Sequence, residues 1–126
     1  MYGLTVEQKS IVESARSIAK DDIAPHAELT DEEGRYPAES MQALRREGFL
    51  GLLVPGEQGG MGQDLRVMAA VIEEIARACS STALCFLVHL AGGATYAASN
   101  PPKEDLLQAV ARGEHVSTLA LGEFGS

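Results

Sequence analysis

Three histidines, two cysteines and the adjacent pair Glu73–Glu74 are the side chains here with the widest scope for chemistry. His26, His89 and His115 lie far apart, and none stands in a recognisable nucleophile motif. His89 falls in the most apolar stretch of the chain, where a satisfied core histidine is expected rather than a catalytic base. Glu73 and Glu74 project about 100° apart on a helix and cannot converge as an acid–base pair. One should be solvated and the other paired with Arg77 or a neighbouring helix. Cys79 and Cys85 belong to no Cys-x-x-Cys or His/Cys cluster, so they read as small buried hydrophobes of a reducing compartment. No catalytic residue and no metal ligand is expected in this chain.

The elements that would hold these side chains are organised around residues 64–99. Leu65, Met68, Ile72, Ile75 and Cys79 recur at three- and four-residue steps, the period of one helix face, and Val67, Val71 and Ala78 widen it. Arg66, Glu73, Glu74 and Arg77 form the polar strip. From Ala83 to Ala98 only His89, Thr95 and the Tyr96 hydroxyl interrupt an apolar run. A helix hydrophobic all round must be covered on all sides, and the rest of the chain reads as its cover.

Before this pair, Thr5 and Gln8 have capping-box spacing, opening a helix over residues 5–22 that Pro25 should stop. Residues 26–35 read as an acidic connector. Pro37 suits the first position of a short helix with Met41 and Leu44 inward and Gly48 as its stop. Phe49–Val54 has the composition of a buried strand, and glycines at 56, 59, 60 and 62 lead into the Asp64 helix. Those glycines miss the spacing of a dinucleotide fingerprint, and no P-loop lysine follows. A tight interhelical connection is the expectation. After the break at residues 99–102, Asn100 and Pro101 should cap and open a last helix. Its Leu106, Leu107 and Val110 face inward, and Gly113 stops it. Val116–Leu121 is β-prone and enters a Gly/Ser turn, like a chain passing into another domain.

Composition fits one domain of 126 residues, 45% hydrophobic. Ten basic against 18 acidic residues give a net charge of −8 without a basic run, which argues against nucleic acid or an anionic membrane surface. Polar residues break up the N-terminal apolar ones, so no signal peptide is read, and Ala83–Ala98 is short for a membrane span. A cytoplasmic location is expected. The fold class is all-α, a bundle of about five to six helices.

Phe49-Leu50-Gly51-Leu52-Leu53-Val54-Pro55, then Gly59-Gly60-Met61-Gly62, then Val71-Ile72-Glu73-Glu74-Ile75-Ala76-Arg77 resemble, in order and spacing, the N-terminal helical domain of the acyl-CoA dehydrogenase family. The segment Thr118–Ser126 extends the resemblance to nearly the whole chain. It implies residues 1–115 as the helical domain and 116–126 as the start of a middle β-domain. It also implies FAD, an acyl-CoA thioester substrate, an electron-acceptor flavoprotein and a homodimer or homotetramer. In such enzymes a carboxylate from the C-terminal part removes the α-proton while hydride passes to the flavin, so the base should lie outside this chain. The fragment alone should be inactive and should not retain FAD. Leu121, Gly122 and Ser126 are the implied flavin contacts. Gly122 offers only backbone where many members carry a threonine. Leu84, Leu87, Val88 and Ala91, on one face of the apolar helix, are the implied wall of the acyl pocket. The alternatives are an acyl-CoA oxidase or flavin monooxygenase fragment, a flavin-free helical binding or scaffolding module, and a stand-alone nucleotide-binding domain.

Overall fold

Helix α1 (Val6–Ile18) starts at the expected capping box: Thr5 Oγ1 accepts the Gln8 N–H at 3.2 Å, and Gln8 Oε1 accepts the Thr5 N–H at 3.0 Å. The computed structural model describes residues 2–120, 122 and 125. Pro25 does not stop the helical path. Ala19–Ile23 form a π turn, and α2 (Ala24–Glu33) continues with Pro25 in its first turn. A proline there removes a donor that a first turn leaves unpaired anyway, and the wider turn ahead accommodates its ring. Ile18, Ala19 and Ile23 all remain in the core. The acidic stretch expected as a connector is thus helical up to Gly34, where φ of 60° ends it.

Helix α3 (Ala38–Arg46) buries Met41 and Leu44 as expected, with Pro37 at the cap rather than the first helical position. Gly48, at φ 78°, follows its end. Phe49–Val54 is not a strand. Phe49–Gly51 make a 3-10 turn, and Phe49, Leu50, Leu52 and Val54 are buried without any sheet partner. The hydrophobic run is satisfied by folding back on itself: the N–H groups of Met61, Gly62 and Gln63 donate to the carbonyls of Gly51, Val54 and Leu52 at 2.8–2.9 Å.

Asp64 caps α4 (Leu65–Ala78), its carboxylate accepting the N–H groups of Arg66 and Val67. Cys79, extended at φ −160°, separates α4 from α5 (Ser80–Ala98), and its Sγ accepts the Thr82 N–H at 3.5 Å. Val67, Val71 and Ile75 form the inner face of α4, while Leu65 is 67% exposed and Met68 and Ile72 are half-buried. The face is rotated from the expected one because α1 lies against it on one side and α5 on the other. Helix α6 (Glu104–Ala111) starts later than expected. The Lys103 N–H donates to the Tyr96 carbonyl, so the chain turns beneath the end of α5 before α6 begins, and Lys103 rather than Asn100 is the cap residue. Leu107 and Val110 pack with Val54 into a small second cluster, and Gly113 at φ 75° follows. Residues 114–120 carry no regular secondary structure, and no β-strand is formed among the described residues.

Helix α5 is longer than its sequence pattern shows, with 19 residues and a mean hydropathy of 1.2, enough by length and composition to cross a membrane. Its Phe86, His89 and Leu90 are nevertheless packed in the core, as in the central helix of a globular domain.

Candidate functional site

The apolar circumference of α5 is not covered on all sides. Leu84 is 62% exposed and Leu87 38%, Val88 and Ala91 are half-buried, and Thr95 and Ala98 are exposed further along. Steps of three and four residues place them in one stripe. The Thr95 hydroxyl donates to the Ala91 carbonyl at 3.0 Å, so the polar member turns its hydroxyl back onto the helix. The structure therefore brings Leu84, Leu87, Val88 and Ala91 together on an open surface. The reason is arithmetical: a helix flanked by α4 on one side and by α2, α3 and α6 on others still leaves one sector without a neighbour.

Roughly a third of a turn round the helix, His89, Gly92 and Tyr96 form a second stripe, and the chain after α6 lies on it at His115 and Ser117. His89 is fully buried, with Nε2 2.9 Å from the Leu50 carbonyl and Nδ1 accepting the Ser117 N–H at 3.1 Å. A carbonyl can only accept and an amide only donate, so the ring is neutral with its proton on Nε2. Burial holds its pKa below the ordinary value of 6.5, against the opposing effect of the Leu50 carbonyl. The Ser117 hydroxyl donates to the Tyr96 oxygen at 3.0 Å, and that hydroxyl lies 2.9 Å from His115 Nε2. Gly92 admits the close approach: a Cβ there would sit 2.4 Å from Ser117 Cβ. The expected core histidine is thus satisfied at both nitrogens. Its link to Ser117 and Tyr96 is absent from the sequence reading, although His89, Gly92 and Tyr96 stand at three- and four-residue steps.

Glu74 is also placed differently from its reading as part of the polar strip. It is buried, held bidentately by Arg16 at 2.9 and 3.2 Å and by Arg77 at 3.2 Å, while Glu73 takes Arg77 at 2.6 Å and the Tyr2 hydroxyl at 3.0 Å. The Arg16 hydrogen bonds hold the Glu74 carboxyl below its usual range. Both carboxylates serve as ion-pair partners. The glycine loop offers no anion cradle, because the N–H groups of residues 58–63 all donate to carbonyls of residues 51–56. Among the described residues there is no cluster of metal-ligating side chains.

Of the implied flavin contacts, Leu121 and Ser126 lie outside the described residues. Gly122 is exposed, and a Cβ built there meets no atom within 4 Å.

These features define a class: a helical domain presenting a partly open apolar helix face, with a segment of irregular backbone after its last helix. The family described as acyl-CoA dehydrogenase, N-terminal domain, matches residues 5–114, and the chain belongs to that family. A probable acyl-CoA dehydrogenase, YngJ, of Bacillus subtilis is 35% identical over 98% of this chain. Cyclohex-1-ene-1-carbonyl-CoA dehydrogenase of Syntrophus aciditrophicus is 41% identical over 73% of this chain and 22% of its own length. The 3-sulfinopropanoyl-CoA desulfinase of Paraburkholderia xenovorans is 38% identical over 65% of this chain and 21% of its own length. A solved chain reported as the electron transferring flavoprotein of Acidaminococcus fermentans superposes with a TM-score of 0.79 at 26% identity, over 92% of this chain and 31% of that one. The chain spans about a third, 32%, of the Bacillus relative's length.

Proposed function

We propose that this chain is the N-terminal helical portion of an FAD-dependent acyl-CoA dehydrogenase, in which α5 supplies a wall of the acyl pocket and residues 121–126 an edge of the flavin site. The observation that carries the reading is the partly exposed stripe Leu84, Leu87, Val88 and Ala91 on a helix whose other side buries Phe86, His89 and Leu90 in the core. Exposed apolar area of this kind marks a surface that something else covers, and an acyl chain is apolar along its length. FAD, when bound, takes up the hydride removed from the substrate. This chain's own residues shape the apolar wall, exclude water from it, and present Gly122 backbone groups to the ring. The α-proton is left to a base outside residues 1–126. An electron-acceptor flavoprotein and assembly as a homodimer or homotetramer in the cytoplasm belong to the same reading.

A second reading is favoured by the desulfinase relative, since the named substrates of these relatives share a CoA thioester while the reactions differ. The test is anaerobic titration of the full-length protein. Bleaching of a bound flavin by saturated acyl-CoA thioesters, with formation of the enoyl thioester, supports the dehydrogenase. Sulfur release from 3-sulfinopropanoyl-CoA without such bleaching supports the second reading. A full-length protein that is colourless and takes up no FAD sinks both in favour of a flavin-free module.

A further inference from the structure

We infer that the acyl site takes thioesters whose distal end is uncharged: the open face of α5 excludes an acyl chain that ends in a carboxylate or a sulfinate. The inference rests on the proposed acyl wall and names the class of chain that fits it. The 19 residues of α5 include no Asp, Glu, Lys or Arg. Its polar side chains near the stripe are engaged elsewhere. Thr95 donates to the Ala91 carbonyl, His89 is bonded at both nitrogens, and the Tyr96 hydroxyl is held between Ser117 and His115. Along Leu84, Leu87, Val88 and Ala91 an oxyanion therefore meets neither a cation nor a hydrogen-bond donor from this helix.

The ends of α5 do not offer one either. At Ser80 and Ser81 the first turn would favour an anion, but Glu28 and Asp31 line the same cleft and oppose it. The far end of the helix carries its negative pole. Arg45 approaches α5 on the covered side, close enough to His89 to oppose its protonation. There its stem packs against Gly113, and its guanidinium donates to Gln42 Oε1 at 3.1 Å. Lys103 lines a separate cleft beside Glu104 and Asp105, and no α5 residue lines that cleft. A carboxylate moved from water onto such a wall keeps its charge and gains no partner, which is the costly case of burial. A methyl end has no such penalty. A sulfinate is an anion of the same kind, so this face disfavours desulfination.

The test compares three enoyl thioesters of one chain length by titration calorimetry on the full-length protein. One ends in a methyl group, one in a carboxylate, and the third is the methyl ester of the second. At neutral pH the carboxylate form should bind at least ~100-fold more weakly than the methyl form, the penalty of an unpaired buried charge. The ester has the bulk without the charge and should recover to within ~10-fold of the methyl form. Leu87→Arg, at a position 38% exposed, puts a cation on the stripe. It should tighten the carboxylate form at least ~10-fold and weaken the methyl form. Lost packing alone cannot give that crossing, because it weakens both. Leu84→Arg, at a position 62% exposed, repeats the exchange should Leu87→Arg fail to fold. Equal binding of the methyl and carboxylate forms, or an ester as weak as the acid, overturns the exclusion of charge. Arginine variants that weaken all three forms alike overturn the role of α5 in it. Flavin bleaching by saturated thioesters with no discrimination by charge sinks this inference alone and leaves the dehydrogenase reading. Discrimination without bleaching does the reverse. Binding of none of the three sinks the acyl wall and this inference together.

Discussion

Glu74 illustrates how far a single residue's setting is legible in sequence. Its neighbours Glu73 and Arg77 mark a polar strip, and the pairing with Arg77 follows from helix spacing. Its burial does not, because the guanidinium that makes burial tolerable comes from Arg16, 58 residues away. Glu74→Gln removes the charge on which Arg16 and Arg77 converge, while their own side chains stay more than half exposed, so it should cost about 1 kcal/mol at pH 7, read as a shift in urea midpoint. The pH dependence has a definite sign. The folded carboxyl lies below its ordinary 4.5, so its contribution is full above that value and is lost as pH falls through the depressed one. The gap between Glu74→Gln and the unmodified chain should therefore narrow as pH falls below 4.5, and a gap that stays constant through acid titration of the carboxyl would assign the effect to packing. His89 acts in the same direction from a higher start: the neutral ring stabilises above 6.5, and that stability fades as pH falls through its lowered value.

At the scale of elements, capping and glycine signals carried most of the fold. Thr5, Asp64, Gly48 and Gly113 end or begin helices close to where their chemistry requires. Pro25 misled because a proline excludes only the interior of a helix, and a π turn converts the site into a first turn. Phe49–Val54 misled because a short apolar run shows that a segment is buried without showing which backbone buries it. Here the tight return depends on Gly60, where a Cβ would meet the Val54 carbonyl oxygen at 2.1 Å, whereas Gly56 has open space around it. Gly60→Ala should destabilise the chain by about 1–3 kcal/mol as an overpacked site. Gly56→Ala should be neutral or stabilising by a few tenths of a kcal/mol, up to about 1. Thermal unfolding of the two variants side by side checks the pair. Equal losses would mean that the loop's glycines serve flexibility rather than close approach.

For the molecule as a whole, the resemblance in the sequence led to the right family, and the all-apolar helix was visible before any coordinates. What the sequence could not show is which sector of α5 stays open, because coverage depends on how many helices fit round it. That sector has two consequences. The 126-residue chain should self-associate through it, and Leu84→Glu with Leu87→Glu should restore monomer in light scattering without loss of helix by circular dichroism. Association that survives both charges would place the sticky surface elsewhere. In the full-length protein the same sector should set acyl-chain preference. Ala91 is half-buried midway along the stripe, so a larger side chain there shortens any pocket that α5 walls. Ala91→Phe should favour short acyl-CoA thioesters over long ones, each methylene that no longer fits costing about 1–3 kcal/mol, with the flavin spectrum unchanged. A stripe that only packs against another domain predicts lower stability with the ratio of kcat/KM between short and long thioesters preserved. Measuring that ratio over a series of chain lengths separates the two, and a change below about twofold, under about half a kcal/mol, removes α5 from the acyl site.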